Sequence, residues 1–202
     1  MNFKELYNKE YFDGTKSQYG GHYDGNQKEL DWRLKLLDNF DFKSFLEIGC
    51  ANGYFVDALN KKGKEAKGFD ISEYIVKRDG IKNIEVGDAL EFPFRECFDL
   101  IFSADLMEHL DLKRIDKCCE QCRGLATKYI VHIISTAYDK DIGDGREIVG
   151  MDKGHISMFT VGWWIKKFQQ HFENWNLKID MGLNFIVYGG EKFNTTIFIL
   201  KR

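Results

Sequence analysis

Apolar and polar positions follow two rhythms along most of this chain. Short apolar runs occur at "SFLEIG", "AKGFDIS", "NIEVGD", "FDLIFSA" and "YIVHIIST", and each reads as a strand. "FDLIFSA" is almost continuously apolar, as a strand in the middle of a parallel sheet must be. Between the runs the spacing turns helical. "GYFVDALNKKG" reads as a helix with Gly63 at its C-terminal cap, and "SEYIVKRDG" as a short helix opened by Ser72. Met107 to Leu125 reads as one helix with Leu112, Ile115, Cys119 and Cys122 on a single face. Thr160 can cap a further helix whose Trp164, Phe168 and Phe172 face inward.

Upstream, Leu30, Leu34 and Leu37 form an i, i+4, i+7 stripe, so about 27–39 is expected to be helical. Downstream, about 177–186 and "TTIFILKR" read as two strands with no helical pattern between them. They are expected to pair antiparallel at a sheet edge. The fold class predicted is α/β: a doubly wound, mostly parallel seven-stranded sheet with helices on both faces and an antiparallel C-terminal edge hairpin. Residues 1–26 show neither period and are rich in aromatics and glycine, so the chain divides into a segment 1–26 and a domain 27–202.

Composition narrows the function. At 202 residues and 44% hydrophobic content, the chain supports one real core. A net charge of −3 with scattered Lys and Arg argues against nucleic acid or an anionic membrane as partner. No apolar run approaches the ~20 residues of a membrane span. "MNFKELYNKEYF" lacks the apolar region of a secretory signal. Five cysteines, an odd number, read as reduced thiols in a cytoplasmic protein. Pro93 is the only proline, which excludes a Pro-rich linker, and no internal repeat is found.

The chemistry begins at "EIGCANG". Gly49, Ala51 and Gly53 alternate after a strand, but a dinucleotide fingerprint needs its third glycine one position later. Glu47, just before the turn, would repel a pyrophosphate, and no Gly-Lys-Ser/Thr follows to make a P-loop. An acid beside a tight turn suits a cationic amine instead. Here the chain resembles the class I (Rossmann-like) S-adenosylmethionine-dependent methyltransferases, whose first motif is acid-x-Gly-x-Gly-x-Gly. Ala51 stands in the middle glycine place, a departure of one methyl group. The order of motifs continues through "GFDIS", "GDAL", "FDLIFSADLMEHL" and "GHISMFT", so the resemblance covers about 44–202.

The resemblance implies S-adenosylmethionine as cofactor. Glu47, Gly49, Cys50, Ala51, Asn52 and Gly53 would line it, Asp70 and Ile71 would meet its ribose end, and Asp88 and Ala89 its adenine. Ser103 to Asp105 would face the transferred methyl. Each motif taken alone also has a plain structural reading, as strand ends and helix starts that any α/β protein needs.

Transfer is an in-line displacement on an electrophilic methyl, so positioning supplies much of the rate. A hydroxyl acceptor also gains from a base. His155 and Asp105 are the candidates, an imidazole's ordinary pKa being about 6.5. The alternatives are that His155 ties down its own loop and that Asp105 caps a helix starting near Met107. His109 is a candidate acceptor contact or a histidine satisfied within its own turn. By resemblance, Tyr19, His22 and Tyr23 in the 1–26 segment would form a lid over the acceptor, hinged at Gly20 and Gly21, the alternative being a flexible terminus.

No metal site is read from the pattern. "DKDIGDGRE" places Gly143 and Asp144 in the wrong register for a calcium loop, leaving a solvated loop or a magnesium site of the catechol-methylating type. Cys119-x-x-Cys122 has no second pair for zinc and falls on an apolar stripe. The expected function is O-methylation of a small polar acceptor, a sugar or glycan first. Small amines, quinone-like acceptors and a non-catalytic cofactor-binding module remain as alternatives.

Overall fold

The computed structural model of the chain describes residues 3–13, 27–137, 154–188 and 191–202. Two short helices, α1 (Phe3–Leu6) and α2 (Lys9–Asp13), precede α3 (Gln27–Leu37). The domain then runs β1 (Ser44–Ile48), α4 (Tyr54–Lys61), β2 (Glu65–Asp70), α5 (Glu73–Arg78), β3 (Ile84–Val86) and β4 (Phe98–Ala104). After a 3-10 turn at Met107–His109 come α6 (Leu112–Leu125), β5 (Ala126–Thr136), α7 (Val161–His171), β6 (Asn176–Tyr188) and β7 (Glu191–Lys201).

The seven strands form one sheet in the order β3-β2-β1-β4-β5-β7-β6. The first five are parallel, while β7 runs antiparallel between β5 and β6. This is the doubly wound arrangement with its C-terminal hairpin at one edge. Successive residues of a strand feed opposite faces of the sheet, and the cores follow that alternation. Leu46, Ile101, Ile130 and Phe198 pack on the side of α6 and α7, where Trp164 and Phe168 lie. Phe45, Phe102, Val131 and Ile197 pack on the side of α3 and α4, with Leu37, Phe55 and Leu59. Each fully buried side chain of this kind stabilises the fold by roughly 1.5–3 kcal/mol.

Local signals in the sequence hold where they were specific. Ser72 caps α5 by accepting from the Ile75 N–H, and Thr160 caps α7 by accepting from the Trp163 N–H. Cys119 and Cys122 are wholly buried core residues, as is Cys118.

Two expectations are corrected. Met107 to Leu125 is not one helix: the 3-10 turn ends at Leu110 and Asp111 caps a new helix, its Oδ1 accepting from Arg114 N at 2.9 Å. Leu112 is therefore 53% exposed, and the buried stripe is Ile115, Cys118, Cys119 and Cys122. The N-terminal residues also contain helix that periodicity did not predict. Helices of four and five residues are too short to show a stripe and depend on tertiary contacts. Phe12 packs on Ile75 and Val76 of α5, and Phe3 lies 4.5 Å from the Arg114 guanidinium.

Candidate active site

Strand order reverses between β1 and β4, and the loops that leave their C-terminal ends form the crevice expected of such sheets. The first loop is 49–53. Gly49 N and Cys50 N both donate to Phe69 O, at 2.8 and 3.0 Å, which pins the loop to β2. Gly49 has φ 71° and Gly53 φ 80°, both left-handed. A Cβ on Gly49 would stand 3.0 Å from Leu106, and one on Gly53 2.8 Å from Ile84. The close approach that these glycines permit is thus to the protein's own side chains. Ala51 also has a positive φ, 47°, where an L-residue is strained by about 1–2 kcal/mol. The departure at the middle glycine place is therefore conformational as well as steric. Asp105, on the facing loop, is likewise left-handed at φ 49°. Strain on both walls of one crevice is a usual mark of function.

Glu47, next to last in β1, is 2% exposed. Arg33 Nη1 reaches its Oε1 at 3.4 Å, while its Oε2 is buried with no hydrogen-bond partner. Burial pushes the Glu47 carboxyl up to about 7; Arg33 works against this, and Asp70 and Glu29 add to it. Arg33 is itself bonded to Glu29 and lies 4.0 Å from Asp105 Oδ2. Burial opposes its charge, but Glu29, Glu47 and Asp105 outweigh that and raise its pKa. The sequence reading missed Arg33. Its signal was a charge at i+3 from Leu30, within the apolar stripe of α3. A buried carboxylate with one satisfied oxygen fits a cationic amine brought by a ligand, which would complete its pairing.

Asp70 joins two loops. Its Oδ2 accepts from Ala51 N at 3.0 Å and its Oδ1 from Ser72 N at 2.9 Å. Burial raises its pKa, and bonds from the Ser72, Ala51 and Ile71 amides oppose the rise. Three amides on the four acceptor positions of the carboxylate leave one for a ligand hydroxyl. Asp88 accepts from Leu90 N at 2.9 Å and from Arg114 Nη2 at 3.3 Å. Ile71 is half-buried beside Asp70, and Ala89 is buried in the core. Cys50 is buried, and burial drives its thiol pKa well up. Asn52 donates its side-chain amide to Asp79 Oδ2 at 2.9 Å.

Ser103 departs from its expected place. Its Oγ is fully buried and bonded to His132 Nδ1 at 2.7 Å, because the alternation of β4 turns it into the sheet toward its register partner on β5. Ser103 therefore does not present its hydroxyl to the crevice. His132 stacks on Phe168, and burial drops its pKa to about 3, so it stays neutral.

The third group lies after β4. Asp105 is held by its N–H to Ile133 O, with its side chain 54% exposed. It does not cap the following helix, since that cap is Asp111. Glu108 is fully buried; Ser135 N donates to its Oε1 at 3.0 Å, and its Oε2 is buried with no hydrogen-bond partner. Burial pushes its carboxyl up to about 8, with Asp105 adding to the rise. His109 Nδ1 lies 2.9 Å from Tyr7 Oη. The segment carrying His155 is tied to this turn by Ser157, whose N–H donates to Glu108 O at 2.8 Å and whose Oγ donates to Leu110 O at 2.6 Å. The His109 and His155 rings consequently meet edge to face at 4.4 Å. One ligating atom from each of Glu108, His109 and His155 lies within 4.8 Å of the others. The sequence reading had both histidines and missed Glu108, which looked like one acid of a helix surface. Tyr19, His22 and Tyr23, with Gly20, Gly21 and the acids of 139–147, lie outside the described residues.

Comparison with known proteins agrees with this fold. Residues 46–128 match the model of a family described as a methyltransferase domain. A ubiquinone biosynthesis O-methyltransferase of Bordetella avium is 23% identical over 105 residues, which are 46% of this chain and 44% of that protein. Its namesake in Leptothrix cholodnii is 25% identical over 133 residues, 59% of this chain and 55% of that protein. The chain thus spans about half the length of the curated relatives it matches.

Among solved structures, a SAM-dependent methyltransferase of Archaeoglobus fulgidus superposes with TM-score 0.66 at 19% identity, over 90% of this chain and 97% of that one. The magnesium protoporphyrin IX methyltransferase of Synechocystis with bound SAM gives 0.63 at 15%, over 100% and 98%. The small RNA methyltransferase HEN1 gives 0.64 at 17%, over 87% and 25%.

Proposed function

We propose that the chain is a class I (Rossmann-like) S-adenosylmethionine-dependent methyltransferase that methylates a hydroxyl of a small polar acceptor, a sugar or glycan first; the methyltransferase-domain match over residues 46–128 and the shared fold support this reading. The observation that carries the cofactor half is Glu47, whose buried, half-paired carboxylate suits the methionine amine. Asp70, the last residue of β2, would accept from a ribose hydroxyl, and Asp88, two residues past β3, from the adenine amino group. The loop 49–53 would run along the cofactor between them.

The acceptor half rests on the groups after β4. Asp105 is exposed, and the His155 and His109 rings meet edge to face. In the reaction the acceptor oxygen bonds to the methyl carbon as the carbon–sulfur bond breaks. The sulfonium leaves as a neutral thioether, and the hydroxyl proton passes to a base, His155 or Asp105. A hydroxyl needs such a base far more than an amine does, and this supports O- over N-methylation. A net charge of −3 without a basic stripe argues for a small acceptor over nucleic acid. Five free thiols suit a reducing compartment such as the cytoplasm, and among the described residues no helix is long and apolar enough to cross a membrane.

A second reading, a phenolic hydroxyl of a quinone precursor, draws on the names of the two curated relatives. The test is a methyl-transfer screen with labelled cofactor against sugars, nucleotide sugars, phenols, quinone precursors, polyamines and short RNA. Label in a sugar class supports the first reading, and label in phenols the second. Label only in amines or RNA removes both.

A further inference from the structure

Glu108, His109 and His155 are drawn from two separate segments and held together by backbone. Ser157 ties the His155 segment to the 107–110 turn through two hydrogen bonds. Tyr7, from the N-terminal helices, bonds His109 Nδ1 and holds that ring's orientation. Metal-ligating histidines are characteristically oriented by such outer partners. Glu108 is fully buried, and its Oε2 has no hydrogen-bond partner. A buried carboxylate in that state is costly unless a cation completes its surroundings.

We propose that Glu108, His109 and His155 bind one divalent ion of the borderline class, Zn²⁺ first. Two imidazoles and one carboxylate form a donor set typical of catalytic zinc, which keeps a fourth position open. Ligand bonds of about 2.1 Å around a tetrahedral ion put donor atoms roughly 3.4 Å apart. The atoms here lie within 4.8 Å of one another, so each pair has at most about 1.4 Å to close around an ion.

The open position takes the acceptor, a step that rests on the hydroxyl reading given above. Coordination lowers the pKa of the hydroxyl. Its proton passes to Asp105, the exposed carboxylate three residues before Glu108. The oxygen then bonds to the methyl carbon as the carbon–sulfur bond breaks. His155 is a ligand in this scheme and not the base.

The test uses the whole chain stripped with a chelator. Calorimetry with Zn²⁺ should give one ion per chain. His155→Ala and Glu108→Gln should each weaken it by at least 10-fold while thermal melts show folded protein. The glutamine keeps an oxygen for Ser135 N; if that variant does not fold, His155→Ala decides alone. Co²⁺ in place of Zn²⁺ should give visible absorption bands that vanish in His155→Ala.

Absence of Zn²⁺ binding, or equal binding in wild type and His155→Ala, overturns the proposal. S-adenosylmethionine binding is measured on the same samples. Cofactor binding without ion binding removes this inference alone. Ion binding with no transfer to any hydroxyl keeps the site and removes the acceptor reading.

Discussion

Arg33 Nη1 and Glu47 Oε1 stand 3.4 Å apart across the gap between α3 and β1, and this ion pair leaves the other oxygen of Glu47 buried and unmatched. The pair leaves a carboxylate oxygen where the proposed cofactor amine would sit.

Cofactor binding should therefore depend on pH. Burial holds the Glu47 carboxyl at about 7, and only its ionised form attracts a cationic amine. Affinity for S-adenosylmethionine should rise as pH rises through 7, by up to about tenfold per unit below that value. Calorimetry from pH 6 to 8 reads the slope. Glu47→Gln should weaken binding at pH 8 by at least about tenfold and flatten the profile; an unchanged profile would take Glu47 out of the site.

Stability should carry its own pH dependence, set by His132. Its folded pKa of about 3 lies below the ordinary imidazole value, so the unfolded chain binds the extra proton between the two. Stability is lost as pH falls below about 6.5, with a slope of at most ~1.4 kcal/mol per pH unit. Glu47 acts in the reverse sense: its raised pKa contributes stability present below the ordinary carboxylate value and lost as pH rises through 7. The two overlap, so the clean measurement is a difference. Wild type should lose more stability than His132→Gln between pH 7 and 5. Equal losses would mean that His132 is not buried neutral.

Asp70→Ala should do two things at once. It removes the acceptor for Ala51 N and Ser72 N, which costs about 1–3 kcal/mol of stability by leaving those amides unmatched. It should also weaken cofactor binding at least tenfold. A variant that is destabilised yet binds cofactor normally would make Asp70 a loop-pinning residue and nothing more.

Ala51→Gly should stabilise the chain. The left-handed backbone at φ 47° costs alanine about 1–2 kcal/mol, while glycine's extra freedom in the unfolded chain returns about 0.4–1 kcal/mol to that state. The net gain expected is up to about 1.6 kcal/mol, seen as a higher Tm. A lower Tm would mean that the entropy term wins at this position.

Much of the fold was legible because its signals are local. Ser72 and Thr160 announce helix starts by side-chain chemistry that acts over three residues, and both cap the helices expected of them. The strand runs from "SFLEIG" to "YIVHIIST" announce themselves by apolar content, and all five lie in the sheet. The break at Leu110 was hidden because Asp111, three residues after Glu108, reads as one more helix-surface acid.

By itself, then, the sequence determined the strand–helix order, the caps, the buried faces and the ordered motifs of a cofactor-binding sheet. These depend on periods of two and of 3.6 residues and on neighbours a few positions apart. Only the tertiary structure decided that Arg33 would meet Glu47, that Ser103 would turn to His132, and that His155 would reach Glu108 and His109. Those meetings join positions far apart along the chain. They are set by which strands lie side by side and how the loops cross their ends, quantities to which no local pattern is sensitive.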